Sequence, residues 1–237
     1  MFFRRLDSVK YKIIRFIESN YQLNLLIYNN IRFLKFLLPH EKDFYGMLLL
    51  CKKKKENVIL DIGASLGISS LGFRQLGFHN KIYAFEPNKK NFLNLKENCL
   101  LNNLNIKLYN FGLSNSNYDS EIWYTDKDKM GGSAIFDKND PELKKYDPKI
   151  IIKEKISLKK LDDVLEINNS NILVKIDVER HEKKVLEGME KIIQQNKIIM
   201  QIEIGEENKK EVFDYLKKLK LKWINSIRHD HFFEKDI

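Results

Sequence analysis

The chain has 237 residues, 43% of them hydrophobic, and its 42 Lys and Arg against 33 Asp and Glu give a formal net charge of +9. This length and apolar content suffice for one α/β domain with a sizeable core, and they argue against a disordered chain. No apolar run reaches the roughly 18 residues of a bilayer-spanning helix, and the N-terminus lacks the apolar region and cleavage site of a signal peptide.

The two cysteines, Cys51 and Cys99, stand far apart in a chain rich in Lys and Asn. Isolated thiols are typical of a reducing compartment. The sequence therefore predicts a cytoplasmic protein.

Residues 1–56 carry most of the basic surplus, with twelve Lys and Arg against five Asp and Glu. Apolar and basic residues alternate there at helical spacing, which predicts N-terminal helices, the second over Leu23 to Leu37 and a further one over Glu41 to Lys52. We expect residues 1–50 to form a helical segment that precedes a domain over 51–237. The surplus favours peripheral contact with a membrane, an anionic substrate or nucleic acid, or a homo-oligomer contact through the helices, and a solvated Lys-rich surface is the alternative.

The stretch from Val58 to Gly67 predicts a buried strand, a Gly-rich turn and the start of a helix. Three interpretations of this turn compete. A dinucleotide fingerprint needs a glycine where Ser65 stands. A nucleophile elbow fits the Gly-x-Ser-x-Gly pattern, but no run of strands precedes Val58. The third is the first motif of an S-adenosylmethionine-dependent methyltransferase, and an ordinary strand-to-helix turn is the remaining alternative.

The next predicted strand, Lys81 to Phe85, ends at Glu86, which lies 23 positions after Gly63. A carboxylate at about this distance beyond a Gly-rich turn is placed to accept hydrogen bonds from ribose hydroxyls. Pro87 then ends the strand because it has no N–H to donate. Taken alone, Glu86 could equally be a surface carboxylate.

The pattern predicts a helix from Asn88 to Asn103, with Leu100 facing inward and Asn91 and Asn98 facing water. A third strand, Ile106 to Phe111, leads into a loop that an adenine ring would meet, because ligands lie beyond the strand ends of an open α/β sheet. Candidate residues for that contact are Leu113, Ser114 and Asn115, although an ordinary polar turn remains open.

The rest of the chain continues to alternate strands and helices. Extra strands over Glu121–Thr125 and Ile150–Leu158 flank a long polar segment, 126–149, which we expect to be a substrate loop. The further expected elements are a short helix over Leu161–Leu165, a strand over Ile172–Ile176, a helix over Glu179–Gln195, a strand over Ile198–Ile204, and a helix within Glu206–Trp223 followed by a last strand. This order predicts an α/β fold with a mostly parallel sheet and helices on both faces.

Three segments in this order make the chain resemble the FkbM family of methyltransferases: Leu60–Gly67, Ala84–Pro87 and Val174–Glu179. The resemblance covers about residues 40–205. It implies a Rossmann-like class I methyltransferase fold and S-adenosylmethionine as cofactor. The expected cofactor-binding residues are Asp61, Gly63, Ala64, Ser65, Gly67, Glu86, Pro87, Leu113, Ser114 and Asp177. The family usually has Asn where Ser65 stands and Gly where Arg180 stands, so contacts at those two positions are in question.

Methyl transfer from a sulfonium mainly requires positioning of the acceptor, and an alcohol must also lose a proton. The expected catalytic residues are Asp177, His181, Lys175 and Glu179. Asp177 would contact the acceptor or the cofactor amine, and Lys175, two residues earlier on the same side of the strand, would keep it ionised by an ion pair. His181 is the favoured base by its ordinary pKa, against the alternative of a surface histidine. We assign no metal ligands, since no Cys/His zinc spacing exists. A Mg²⁺ site remains open as an alternative, because several carboxylates follow the strand ends and the sequence alone does not show whether their oxygens converge.

The resemblance implies O-methylation of a sugar, a polysaccharide precursor or a related small metabolite, with phosphorylated and nucleotide-linked acceptors also open. One alternative is a module that binds the cofactor without catalysis. Another is a basic nucleic-acid methyltransferase, although the chain lacks the Asn/Asp-Pro-Pro-Tyr segment of enzymes that methylate base amino groups.

Overall fold

The computed structural model describes residues 24–28, 31–35, 58–75, 78, 81–125 and 147–236. The expected helices before residue 24 and over Glu41 to Lys52 lie outside these residues, as does most of the expected substrate loop. The strands are β1 Asn24–Tyr28, β2 Ile31–Lys35, β3 Val58–Ile62, β4 Lys81–Phe85, β5 Lys107–Tyr109, β6 Gly112–Leu113, β7 Tyr118–Thr125, β8 Ile151–Lys159, β9 Asn171–Ile176, β10 Lys197–Glu203, β11 Lys222–Ile227 and β12 Asp230–Lys235. The helices are α1 Ile68–Gln75, α2 Lys89–Leu101, α3 Leu161–Val164, α4 Glu182–Glu187, α5 Glu190–Gln195 and α6 Lys209–Lys218, with a 3₁₀ turn at Pro148–Ile150.

Seven strands form the central sheet in the order β11-β12-β10-β9-β3-β4-β5. Strands β3, β4, β5, β9 and β10 are parallel, and β12 runs antiparallel to β10 and to β11. The chain leaves β3 towards β4 and β5 on one side and later returns to β9 on the other. This reversal beside β3 creates the crevice in which open α/β sheets bind their ligands. The predicted mostly parallel sheet is confirmed.

Helices cover both faces of this sheet, which is why its central strands are almost entirely apolar. Successive residues of a strand point to opposite faces. Leu60 and Val174 accordingly pack with the helices α3 to α6, whereas Ile59 and Leu173 pack with Phe73 of α1. The core therefore has two layers, and the polar side chains of interest lie where the strands end.

The expected helix over Leu23 to Leu37 is wrong, because β1 and β2 form an antiparallel hairpin there. Tyr28 pairs with Ile31, so only two residues connect the strands. The sequence carries a hairpin signal that helical spacing obscured: two short runs rich in bulky apolar residues, separated by two asparagines.

One other helix prediction needs correction. The single helix expected over Glu179–Gln195 begins only at Glu182 and is divided into α4 and α5, with Gly188 at the end of the first. Gly188 has an ordinary helical backbone with a φ of −79°, but a Cβ atom there would lie 1.9 Å from the main-chain carbonyl oxygen of Ser114, so a larger residue would not fit. The last helix and the strand expected after it are confirmed as α6 and β11, and a further strand that was not expected, β12, follows them.

Helix α2 presents a different face to the core from the one predicted. Asn91 and Asn98 are buried rather than solvated, and Leu100, expected inward, is 69% exposed. The Nδ2 of Asn98 donates to the carbonyl oxygen of Leu66 at 2.9 Å. The buried amide thus ties α2 to the Gly-rich turn, which its polarity alone could not reveal.

The two extra strands are confirmed as β7 and β8, which pair antiparallel and form a three-stranded sheet with β6. Glu154 of β8 accepts hydrogen bonds from the main-chain N–H of Lys89, at 2.7 Å, and from Nδ2 of Asn88, at 3.0 Å. These bonds fasten the small sheet to the start of α2 and so hold it beside the strand ends of the main sheet.

Candidate functional site

A cleft lies at the carboxyl ends of β3, β4 and β9, and the empty space in and above it, including open solvent, is about 670 Å³. The predicted site residues that line it are Gly63, Ser65, Glu86, Pro87, Leu113, Asp177, Glu179 and His181. Its other lining residues, which sequence reasoning missed, are Ile62, Phe85, Asn91, Gly112, Ile122 and Val178. The predicted residues that do not line it are Asp61, Ala64, Gly67, Lys175, Ser114 and Asn115. The lining therefore brings together residues separated by more than a hundred positions.

The turn after β3 is held by two hydrogen bonds, from the main-chain N–H groups of Gly63 and Ala64 to the carbonyl oxygen of Phe85, both 3.0 Å. Gly63 has a φ of +81°, and a Cβ atom there would overlap the carbonyl oxygen of Asp177. A side chain at this position would both strain the backbone and displace the neighbouring strand end. Gly63 therefore permits the close approach of the two main-chain segments that form one wall of the cleft.

Two other predicted residues of the turn serve packing rather than the cleft. A Cβ on Gly67 would meet the side chain of Leu95, and Ala64 is buried against Leu95 and Cys99. Gly67 therefore allows the close approach of α2 to the turn.

Glu86 joins the turn to the end of β4. Its two carboxylate oxygens accept hydrogen bonds from the main-chain N–H groups of Ser65 and Asn88, both 2.8 Å. Burial raises the pKa of Glu86 to about 7, against the opposing effect of these two donors. Each oxygen retains a lone pair after one hydrogen bond, so the carboxylate can still accept from a ligand in the cleft.

Asp61 lies beneath the turn, fully buried, and accepts a 2.6 Å hydrogen bond from the Ser70 hydroxyl on its Oδ2. Burial raises its pKa, while the charge of Lys175 opposes that effect. Within the described part of the chain, Oδ1 of Asp61 has no hydrogen-bond partner. Asp61 thus lies beneath the site, close to Lys175, and forms no part of the cleft surface.

Lys175 and Asp177 form the predicted ion pair, with 3.0 Å between Nζ and Oδ2. The Lys175 side chain is 13% exposed and that of Asp177 is 35% exposed. Burial alone would lower the pKa of Lys175, but the charges of Asp177 and Asp61 raise it above its usual value. Lys175 therefore stays charged beside the cleft and holds the Asp177 carboxylate at its wall.

The segment after Asp177 has an unusual backbone, because Glu179 and Arg180 have φ values of +50° and +73°. Glu182 stabilises it: one of its oxygens accepts from the main-chain N–H of Arg180 at 2.8 Å and the other from Nδ2 of Asn208 at 2.6 Å. The Arg180 Nε lies 2.7 Å from a carboxylate oxygen of Glu207. Non-glycine residues rarely adopt this conformation, and such strain concentrates at functional sites.

Glu179 and Glu203 place two further carboxylates near Asp177. Desolvation by the surrounding protein and the charges of Asp177 and Glu182 raise the pKa of Glu179 to about 7. Desolvation and the charges of Asp177 and Asp230 raise the pKa of Glu203 to about 7 as well. Glu203 lies exposed at the end of β10 and does not line the cleft. The described carboxylates and His residues include no group of three placed to hold a metal ion.

His181 is buried at the edge of the cleft, so the alternative of a surface histidine is wrong. Its Nε2 lies 3.0 Å from the hydroxyl of Ser114, a residue that we expected to meet an adenine ring. Burial, and then the charge of Lys184, lowers the pKa of His181 to about 4. His181 is therefore neutral at pH 7 and can accept a proton, although weakly.

The model of the methyltransferase FkbM domain matches residues 61–222, more than half of the chain. This chain belongs to the FkbM methyltransferase family. The three motifs on which the resemblance rested lie within or at the border of the matched region, and the family prediction is confirmed. Among curated proteins, none matches the sequence.

Solved structures are similar in fold. The methyltransferase FkbM of Methylobacillus flagellatus KT is 16% identical with a TM-score of 0.49, and the match covers 76% of this chain and 43% of that one. This chain therefore spans less than half of that relative. The METTL16 methyltransferase domain is 12% identical with a TM-score of 0.51, over 98% of this chain and 80% of that one. A precorrin-6y C5,15-methyltransferase of Geobacter metallireducens is 10% identical with a TM-score of 0.46, over 84% and 90%. The chain thus has the class I methyltransferase fold.

None of the helices in the described part of the chain is long and apolar enough to cross a membrane.

Proposed function

We propose that this protein transfers a methyl group from S-adenosylmethionine to a hydroxyl group of a small acceptor, with the cofactor bound in the cleft beside the Gly63 turn. The observation that carries the proposal is the position of Glu86, a buried carboxylate at the end of β4 that lines the cleft and is hydrogen-bonded to the turn itself. A carboxylate at that position suits the two hydroxyls of a ribose.

The residues present fit such a cofactor. Glu86 would accept from the ribose hydroxyls, and the apolar lining from Phe85, Leu113 and Ile122 would surround the adenine ring. The methionine portion carries no phosphate, so the turn needs no second glycine, and the main chain at Gly63 would lie against it. Asp177 would attract its positive charge. The bound cofactor supplies an activated methyl group, and these residues bind and orient it.

The acceptor side of the cleft is acidic among the described residues. Asp177 and Glu179 line the opening and Glu203 lies nearby, whereas Lys175 is already paired. Carboxylates accept hydrogen bonds from hydroxyl groups and repel phosphates. This pattern supports a polyhydroxylated small molecule, such as a sugar, and O-methylation as the reaction.

The two other candidate functions have less support. A nucleic-acid substrate would bring phosphates to this acidic opening, and the basic surplus lies in residues 1–56, almost all outside the described part. A module without catalysis would be favoured if Ser65 or Arg180 disrupted the site. Instead, the main-chain N–H of Ser65 bonds Glu86, and Arg180 is held by Glu207.

We also propose that the protein is cytoplasmic and that its methyltransferase domain begins at residue 51. The segment before it would make a contact with a second copy of the chain or with a membrane surface. A chain that begins at residue 51 tests the division directly. We expect it to fold and to bind the cofactor, and loss of cofactor binding in a folded truncated chain would contradict the division.

Mass spectrometry tests the reaction. The protein is incubated with isotopically methyl-labelled S-adenosylmethionine and a panel of neutral sugars, sugar phosphates, nucleotide sugars and RNA. We expect labelled methyl groups on hydroxyls of neutral sugars. Methylation of RNA alone would overturn the proposed acceptor class, and cofactor binding without any methylation would favour the module without catalysis.

A further inference from the structure

Three side chains connect the cleft to the surface. His181 is 6% exposed and lines the cleft, Ser114 is fully buried behind it, and Tyr118 is 38% exposed. The Nε2 of His181 lies 3.0 Å from the Ser114 hydroxyl oxygen, which lies 3.2 Å from the Tyr118 hydroxyl oxygen. The first distance is that of an ordinary hydrogen bond and the second that of a long one, and together they connect the three side chains without a gap.

The donors and acceptors of each group determine the direction in which hydrogen bonds are donated along these three side chains. With a proton on Nε2, His181 donates to Ser114, and the single hydroxyl hydrogen of Ser114 is then left to donate to Tyr118. The Asn115 Oδ1 competes for that hydrogen at a longer distance of 3.5 Å. The only side-chain hydrogen bond of His181 among the described residues is the one at Nε2, and His181 lines the cleft, so we assign its second ring nitrogen, Nδ1, to the contact with a group in the cleft.

We propose that His181, Ser114 and Tyr118 form a relay that carries the proton released by the acceptor hydroxyl from the cleft to solvent. The relay deepens the proposed function and rests on it. It assigns Ser114 a task other than the adenine contact that its position in the sequence suggested, and it gives Tyr118 a task where the sequence suggested none.

The acceptor releases its proton only after the methyl group has been transferred. A lone pair of the acceptor oxygen forms a bond to the methyl carbon while the carbon–sulfur bond breaks and its electron pair stays on sulfur. The acceptor oxygen, now positively charged, gives its proton to Nδ1 of His181. The proton on Nε2 moves to Ser114, the Ser114 hydrogen moves to Tyr118, and the Tyr118 hydrogen moves to water. After the product has left and water has entered the cleft, Nδ1 releases its proton to that water and Nε2 regains a proton from solvent through Tyr118 and Ser114, which restores the starting form of His181.

The weak basicity of His181 suits this order of events. Burial lowers its pKa to about 4, so His181 cannot remove a proton from a neutral alcohol at an early stage. A methylated alcohol that still carries its proton is a far stronger acid than an imidazolium, and it gives up that proton readily. A weakly basic imidazole also passes the proton on without retaining it.

The relay is tested with Tyr118→Phe, which keeps the ring and removes only the last hydroxyl. The matched control is Tyr124→Phe on the same strand, whose hydroxyl bonds Glu154 at 3.2 Å. Ser114→Ala removes the middle of the relay, and thermal unfolding verifies that all three variants fold. Nitrogen-15 NMR measures exchange of the His181 Nε2 proton with solvent, which requires no acceptor.

We expect Tyr118→Phe and Ser114→Ala to slow that exchange by about tenfold or more and Tyr124→Phe to leave it unchanged. With an acceptor identified by mass spectrometry, Tyr118→Phe should lower turnover by about tenfold, less than the 10²–10⁴ of a direct general base, enlarge the solvent deuterium isotope effect and leave cofactor affinity unchanged. Wild-type exchange rates in Tyr118→Phe would overturn the relay. Failure of the wild-type protein to bind S-adenosylmethionine would instead overturn the proposed function, whatever the exchange rates.

Discussion

Gly63 and Asp177 are in main-chain contact across the cleft wall: a Cβ atom on Gly63 would occupy the position of the Asp177 carbonyl oxygen. The N–H of Asp177 also donates to the carbonyl oxygen of Ile62 at 3.0 Å. The first and third motifs of the sequence are therefore one structural unit. A change in the turn must move the residue that we expect to face the acceptor.

Gly63→Ala should destabilise the protein. The positive φ of Gly63 costs a non-glycine residue about 1–2 kcal/mol, and the overlap with Asp177 adds about 1–3 kcal/mol, as overpacking usually does. Denaturant unfolding measures the loss. Gly205→Ala is the control, because its added Cβ would meet only the flexible end of Glu207, at 2.6 Å. Equal stability of the Gly63 variant and wild type would contradict the close packing described here.

The Lys175–Asp177 pair should be strongly coupled. Asp177→Asn leaves the partly buried Lys175 without its charged partner, so we expect a loss of about 1–3 kcal/mol, the range for a hydrogen bond to a charged group. Lys175→Met should restore part of this stability in the double variant. A double-mutant cycle on unfolding free energies provides the measurement, and additive effects of the two changes would show that the pair is not coupled.

Glu203→Gln should stabilise the protein more at pH 8 than at pH 5. The pKa of Glu203 is raised to about 7, so between its ordinary pKa of 4.5 and 7 the folded protein holds a proton that the unfolded chain releases. The contribution of Glu203 to stability therefore falls as pH rises through that range. The glutamine side chain of the variant does not titrate, so its contribution to stability does not fall with pH. Melting temperatures at both pH values test the prediction, with the exposed Glu166→Gln as control, and an equal shift at pH 5 and pH 8 would contradict it.

Affinity for S-adenosylmethionine should rise with pH up to about 7. The pKa of Glu86 is about 7 in the free protein, and only the ionised carboxylate accepts from both ribose hydroxyls. Affinity limited by this one proton changes by up to about tenfold per pH unit below that pKa. Calorimetry at pH 6 and pH 8 measures the change. A slope that persists in Glu86→Gln would assign the dependence to another group.

The sequence predicted those parts of the fold that local patterns determine. Apolar runs such as Val58–Ile62 and Ile172–Ile176, each followed by a polar or glycine residue, located the central strands and hence the cleft. The spacing of Glu86 from Gly63 located the carboxylate that now lines it. Because these strands are buried on both faces, their apolar residues follow one another almost without interruption, and a short stretch of sequence is enough to recognise each strand.

Other features depend on contacts between distant residues and left no such signal. Ser114 and His181 are 67 positions apart, and neither residue alone indicates that its side chain meets the other. Burial of Asn98 follows from its bond to Leu66, which no periodicity predicts. The division of the helix after His181 did have a signal, Gly188, which the apolar spacing on either side of it obscured.

Calorimetric titration with S-adenosylmethionine tests the central claim most directly. Wild-type protein should bind one equivalent per chain, and Glu86→Ala should weaken binding by about 1–3 kcal/mol through lost hydrogen bonds. Glu97→Ala, which removes an exposed carboxylate on α2, should bind as the wild type does. Absence of binding by the wild-type protein, or equal affinity of the wild type and Glu86→Ala, would contradict the assignment of the cleft as the cofactor site.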